Sequence, residues 1–353
     1  MLDDQTMIEK IDKDGMLAKI QEQPDQVKIA WEQVQNFIIP THYINAKNVV
    51  VLGMGGSAIG GDLIRDLVKS SAKIPVHVVR DYDLPKFVDS TSLVIASTYS
   101  GETEETITAF TEAIDRGAKT LIISTGGKAA ALSRKHKIPM FEIKYQAQPR
   151  AAIAYSLIPL LGIFNKLGYI ELGINEVLNA VTDLINFKQK NDINVPTSQN
   201  DAKKLAEKLH NRLPVVIGGG ILSNVARRFK DQINENAKQV ACFDEIPELC
   251  HNHIVGLDKP ENILKETYTI LLQSRFDNKR NNLRNQILIQ LFQKKGIKCE
   301  SIMLDCKGGK IAEILHNVLF ADYVSYYLAI LNQVDPTPVE TIKFLKDRLA
   351  ENK

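Results

Sequence analysis

The chain has 353 residues, a length that suits two domains better than one. Its 44 Lys and Arg against 42 Asp and Glu leave a formal charge of +2, which argues against a dedicated nucleic-acid or polybasic membrane-surface protein. Hydrophobic residues at 44% and charged residues at 24% are ordinary for a globular chain, and no run approaches the 18 or so apolar residues of a membrane span. The four cysteines (Cys242, Cys250, Cys299, Cys306) share no short even spacing, so they read as free thiols of a reducing cytosol rather than as a disulfide framework. The N-terminus, MLDDQTMIEKIDKDG, is acidic and lacks an apolar stretch, so no signal peptide is evident and a cytoplasmic location is expected.

In chain order, residues 2–38 carry apolar side chains at helical spacing, interrupted at Pro24. Lys47-Asn-Val-Val-Val-Leu52 is a short apolar run and reads as a buried parallel strand. The glycine-rich stretch Gly53-Met-Gly-Gly-Ser-Ala-Ile-Gly-Gly61 reads as a loop, with a helix from Asp62 to Lys69. Val76–Val79, Ser92–Ser97 and Lys119–Ser124 read as further strands, with a helix between the last two ending near Arg116. Apolar runs alternating with helices are the mark of parallel βαβ units. Residues 151–190 read as mainly helical, and the polar stretch Asn191–Asn200, containing Pro196, as a linker.

The pattern then recurs. Pro214-Val-Val-Ile-Gly-Gly-Gly220 mirrors Val50-Val-Leu-Gly-Met-Gly55, and Tyr268–Ser274 mirrors Ser92–Ser97. Lys295-Gly-Ile-Lys-Cys mirrors Arg116-Gly-Ala-Lys-Thr. These parallels predict a duplicated doubly wound α/β unit with mainly parallel sheets. Two helices, Ile311–Leu331 and Val339–Leu349, close the chain. The expected domains are 1–193 and 194–353.

Two loops in the first half suit an anion. Gly53-x-Gly-Gly-Ser57 stands between a strand and a helix, where glycines admit close approach and a helix N-terminus offers free N–H groups. Gly53-x-Gly55-x-x-Ala58 also meets the degenerate dinucleotide fingerprint, with Asp81 as a ribose-binding acid and Arg80 as a partner for a 2′-phosphate. A Walker loop is excluded, because no Gly-Lys-Ser/Thr follows. Thr98-Tyr-Ser100-Gly-Glu-Thr103 sets hydroxyls beside a glycine at a second strand end. Two such loops at neighbouring strand ends favour a phosphomonoester over a dinucleotide. Ser and Thr also serve as ordinary helix N-caps, and the second loop alone does not separate the two roles.

Together these loops resemble the sugar isomerase (SIS) domain, and more closely the bifunctional phosphoglucose/phosphomannose isomerases. The resemblance extends through Asn234-Glu-Asn-Ala-Lys238, Pro247-Glu-Leu-Cys-His-Asn-His-Ile-Val-Gly256 and Asp335-Pro-Thr-Pro-Val-Glu340, over about residues 45–350. It implies tandem flavodoxin-like SIS units with flanking N- and C-terminal helices. It also implies interconversion of glucose 6-phosphate, and of mannose 6-phosphate, with fructose 6-phosphate through a cis-enediol. No cofactor and no metal are implied. Gly56, Ser57, Thr98, Ser100 and Thr103 match the phosphate-binding positions. Glu102 stands where the family often has Asn, and an acid so close to a phosphate is expected to point away from it.

The acid–base groups lie mainly in the second half. Glu235 is placed at or near a helix C-terminus, where the dipole would raise its pKa, as suits a base. A solvated helix face would carry the same residue. The resemblance implies that Glu235 moves the proton, that His251 opens the ring, and that Arg150 stabilises the enediolate. The family's ring-opening lysine falls on Lys346, with Lys343 the second match. In related isomerases the histidine comes from the neighbouring subunit, which implies a homodimer. Neither nucleic acid nor membrane is expected as a partner. His251-x-His253 with Cys242 and Cys250 also leaves a zinc site open as an alternative. Two other readings are a non-catalytic sugar-phosphate sensor and a dinucleotide-dependent oxidoreductase.

Overall fold

The computed structural model describes residues 1–173 and 175–351. Helices α1 (Gln5–Ile11), α2 (Met16–Gln21) and α3 (Gln23–Gln35) precede the first sheet unit. That unit runs β1 (Asn48–Leu52), α4 (Gly55–Val68), β2 (Val76–Val79), β3 (Ser92–Ser97), α5 (Glu104–Asp115), β4 (Lys119–Ser124), α6 (Gly127–His136) and β5 (Met140–Glu142). Helices α7 (Ala154–Lys166), α8 (Glu176–Asn191) and α9 (Asp201–Leu209) follow. The second unit runs β6 (Leu213–Gly219), α10 (Ser223–Ala237), β7 (Cys242–Ile246), α11 (Glu261–Glu266), β8 (Thr267–Leu272), α12 (Lys279–Lys294) and β9 (Lys298–Ile302). Helices α13 (Gly309–Leu331) and α14 (Glu340–Glu351) end the chain.

The first sheet has the order β2-β1-β3-β4-β5 and the second the order β7-β6-β8-β9, with every pairing parallel. The first four strands of each unit, taken in chain order, therefore occupy matching places, as the duplicated motifs predict. The order reverses between β1 and β3, and again between β6 and β8. A crevice opens at each such switch point, beyond the carboxyl ends of the strands.

Burial follows the two-residue period of a strand. Val49, Val51, Leu93, Ile95, Leu121 and Ile123 join one large core, while Val50, Leu52, Val94, Ala96 and Ile122 face a smaller one with Phe110 of α5. In the second sheet, Val216, Ile270 and Leu272 enter the same large core, and Val215, Ile217 and Leu271 pack on Leu288 and Phe292 of α12. Strands covered on both faces read as continuous apolar runs, which is why they are legible in the sequence.

Helix α13 ties the two halves together, packing on α8, α9 and α10. It is long and apolar enough to cross a membrane, although Glu313, His316, Asn317 and Asp322 interrupt its apolar residues. Within its most apolar window 94% is buried inside the protein, so it is a core helix.

Two local expectations are corrected. The glycine stretch is not a loop up to Gly61, since α4 begins at Gly55. Its later glycines serve packing. A Cβ on Gly60 would fall 2.6 Å from the Ser156 hydroxyl of α7, and one on Gly61 would fall 2.9 Å from Val51. The stretch 191–200 is also anchored rather than loose. The buried Lys203 ammonium donates to the carbonyls of Ile193 and Val195, each at 2.8 Å, and pairs with Asp3 at 2.9 Å.

Candidate active site

The first switch point brings the two phosphate-type loops together. The backbone N–H of Tyr99 donates to the Ser57 hydroxyl at 3.1 Å, and the Ser97 hydroxyl donates to the Ser57 carbonyl at 3.2 Å. The Thr98 hydroxyl donates to that of Thr103 at 3.1 Å, and the N–H of Glu102 donates to the Ser100 hydroxyl at 3.2 Å. Gly101 adopts φ 72, and a Cβ there would collide with the Gly126 carbonyl, so this sharp turn needs glycine.

Thr103 occupies the N-cap position of α5, yet its side chain makes no capping bond, and Met54 ahead of α4 makes none either. Both helices thus present uncapped N-termini toward one crevice. Their dipoles and orphan N–H groups favour an anion there. Glu102 turns away to the next helix. Its carboxylate accepts from the Lys128 N–H at 2.8 Å and lies 3.5 Å from the Lys128 ammonium.

The second switch point is built differently. The Asp277 carboxylate lies against Gly220, where the first unit leaves its crevice to hydroxyls. Burial pushes Asp277 up to about 6, with Glu313 nearby adding to the shift. A carboxylate in this position disfavours an anion, so the duplicated crevices are not equivalent.

Gly56 links the phosphate-type loops to the second half of the site. Its missing side chain lets α4 approach Arg150, since a Cβ there would lie 3.1 Å from the Pro149 carbonyl and 3.3 Å from the Arg150 nitrogen. Arg150 is buried at 4% exposure. Its Nε donates to Asn236 Oδ1 at 2.7 Å, and its Nη2 donates to the carbonyls of Pro336 and Thr337, each at 2.7 Å. Its remaining terminal nitrogen lies 3.6 Å from the Glu235 carboxylate. Burial lowers the Arg150 pKa from its ordinary value, and Glu235 opposes that shift.

Glu235 stands in the last turn of α10, as its motif suggests. Its carboxyl is raised above the ordinary value, chiefly by burial, with Arg150 pulling the other way and Asp231 adding to the rise. Desolvation is therefore the leading cause that prepares it to hold a proton. It opens on a cavity of about 680 Å³ lined also by Lys238, Asp335, Val339 and Thr341.

A buried polar cluster supports this pair from behind. Arg228 donates to the Arg150 carbonyl at 3.0 Å and to both oxygens of Asp322, at 2.8 and 3.0 Å. Asp322 also accepts from Gln232 at 2.5 Å and Gln23 at 3.1 Å. Asn236 donates to Ser325 at 3.0 Å. Apart from Asn236, which lies in the Asn234–Lys238 motif, nothing in the sequence sets these residues apart, because they converge from α3, α10 and α13.

Several expected residues stand elsewhere. His251 ends a short 3-10 turn after β7, and it is exposed. Among the described residues its ring makes no hydrogen bond or ion pair. His253 binds Asp244 through Nδ1 at 2.8 Å. Among the described residues, no three His, Cys, Asp or Glu side chains converge as a metal site would require. Lys343 and Lys346 lie exposed on α14 and are not joined to Glu235 or Arg150 within the chain. Arg80, considered for a 2′-phosphate, is instead engaged by Asp62 of α4.

Comparison with known proteins agrees with this layout. A model of the SIS domain matches residues 42–158, and a model of the bacterial phospho-glucose isomerase C-terminal SIS domain matches residues 198–349. The bifunctional phosphoglucose/phosphomannose isomerase of Caldicellulosiruptor bescii is 41% identical over 96% of this chain and 100% of its own length. The chain belongs to the bifunctional phosphoglucose/phosphomannose isomerase family. The family's member from Aquifex aeolicus is 33% identical, over 91% of this chain and 95% of its own. Among solved structures, the C-terminal domain of glucosamine-fructose-6-phosphate aminotransferase from Francisella tularensis superposes with a TM-score of 0.70 at 16% identity, covering 93% of this chain and 99% of that one. This last likeness concerns the fold alone.

Proposed function

We propose that the protein interconverts glucose 6-phosphate and mannose 6-phosphate with fructose 6-phosphate through a cis-enediol. The observation that carries this reading is the contact path from the uncapped phosphate-type loops, through Gly56, to the Arg150–Glu235 pair. Ser57, Thr98, Ser100 and Thr103, with Gly56 giving close approach, hold the phosphate. Glu235 takes the proton from C2 of the open-chain aldose and returns it to C1, while the hydroxyl proton passes from O2 to O1, leaving the ketose. Arg150 balances the charge that builds on the enediolate oxygens, a contribution that is often the largest in such steps. This chemistry needs no metal.

His251 opens the sugar ring, and it does so in the partner subunit's site. Its exposure on the chain that carries it, together with Phe344, Leu345 and Leu349 exposed on α14, supports a homodimer. Four free cysteines support a cytoplasmic location.

A coupled assay of the purified protein in EDTA tests the activity. Turnover of both aldose phosphates to fructose 6-phosphate, unchanged by chelator, is expected. No turnover of any hexose 6-phosphate would overturn the reading. Refolding Glu235→Gln and His251→Ala chains together tests the shared site. Random pairing in a symmetric dimer should restore about a quarter of wild-type activity, since half the dimers are mixed and each holds one intact site. No recovery above the separate variants would place His251 in its own chain's site.

A further inference from the structure

Lys238 follows the last residue of α10 and adopts φ 53, in the left-handed region that glycine usually fills after a helix. Its side chain folds back over the helix end. The ammonium donates to the Glu235 carbonyl at 2.7 Å, to the Asn236 carbonyl at 3.4 Å and to the Pro336 carbonyl at 3.1 Å. The first two are among the carbonyls that a helix end leaves without partners. The Ala237 carbonyl is taken by Asn332 Nδ2 at 3.0 Å.

The Pro336 carbonyl also accepts from Arg150. The contacts therefore close a ring. Glu235 faces Arg150 through its carboxylate, Arg150 and Lys238 share the Pro336 carbonyl, and Lys238 returns to the backbone of Glu235. We propose that Lys238 is a positioning residue that clamps the end of α10 to the Pro336–Thr337 segment and so holds Glu235 against Arg150. The proposal rests on the isomerase reading above, in which Glu235 is the base. Nothing in the ring requires Lys238 to touch the substrate.

The charged groups facing the ammonium are Glu235 on its own helix, Arg150 from the segment after β5, and Asp335 from the segment before α14. Burial and Arg150 lower the Lys238 pKa to about 8, while Asp335 and Glu235 oppose the shift. The clamp is charged at neutral and lower pH and loses a donor progressively as pH rises through that value. Its charge also lowers the carboxyl of Glu235.

The test compares Lys238→Met, Lys238→Arg and the parent enzyme over pH 5 to 10. In Lys238→Met, kcat should fall about 10-fold or more, as loss of a charged hydrogen bond implies, with KM changed far less. The acid limb of kcat/KM should move up, because a cation near Glu235 is gone. Lys238→Arg should keep most of the activity and carry the alkaline limb to higher pH. A merely structural lysine would leave kcat and the alkaline limb where they are, since only the acid limb answers to charge alone. Wild-type kcat and unchanged limbs in Lys238→Met would overturn the proposal. If that variant fails to fold, an alkaline limb in Lys238→Arg identical to wild type would overturn it. Parent enzyme inactive on every hexose 6-phosphate would instead overturn the isomerase reading.

Discussion

Glu235→Gln should lower kcat by about 10²–10⁴-fold, the usual worth of a positioned base. In free energy this is roughly 3–5 kcal/mol of lost transition-state stabilisation. The change keeps size and removes the proton acceptor, so KM for fructose 6-phosphate should change little and phosphate binding should persist. The parent enzyme should also show an acid limb in kcat/KM above the ordinary carboxylate range. Burial raises the Glu235 carboxyl, so it must lose its proton at a higher pH than a solvated Glu before it can act. The variant should lack that limb. Near-normal turnover in Glu235→Gln would remove Glu235 from the base role.

Asp322→Ala should be strongly destabilising. Asp322 and Arg228 are both about 2% exposed, and Asp322 accepts from three side chains. Truncation leaves the Arg228 guanidinium buried without a counter-charge, which typically costs about 3–5 kcal/mol. Arg228 also holds the Arg150 carbonyl, so residual folded protein should lose activity as well. Denaturant titration measures the first effect and the coupled assay the second. A stability loss within about 0.5 kcal/mol, the range of an ordinary surface change, would mean that Arg228 is not left uncompensated and would overturn this expectation.

The sheets were legible because their strands are apolar on both faces. Runs such as Val49–Leu52 and Leu93–Ala96 announce themselves without reference to partners. Helix α6 and strand β5 carry no such signal. The first is largely polar, with only Ala129 buried, and the second has three residues. The start of α4 was misread because Gly55, Gly56, Gly60 and Gly61 look like loop residues, whereas their absent side chains serve close approach.

The site divides in the same way. Ser57, Ser100 and Thr103 sit in compact motifs with loop-and-helix spacing, so sequence exposes them. Arg150 was named only through resemblance, since one arginine after a proline has no local signature. Lys238 closes the motif Asn234-Glu-Asn-Ala-Lys238, but the motif alone gives it no role. Its meaning depends on Pro336, 98 positions away. Asp322, Arg228 and Gln23 lie on three separate helices, and only folding makes them neighbours.

The place of α13 has a consequence for synthesis of the chain. The apolar faces of α8 and α9 are complete by residue 209, yet the helix that covers them ends at residue 331. At ribosomal rates of about 5–20 residues per second, that gap lasts on the order of 6–24 s. During it the first sheet can form, but its helical flank stands open to solvent. The nascent chain is thus most exposed to misassociation between the synthesis of α9 and that of α13, and the flank of the first sheet closes only when α13 has emerged.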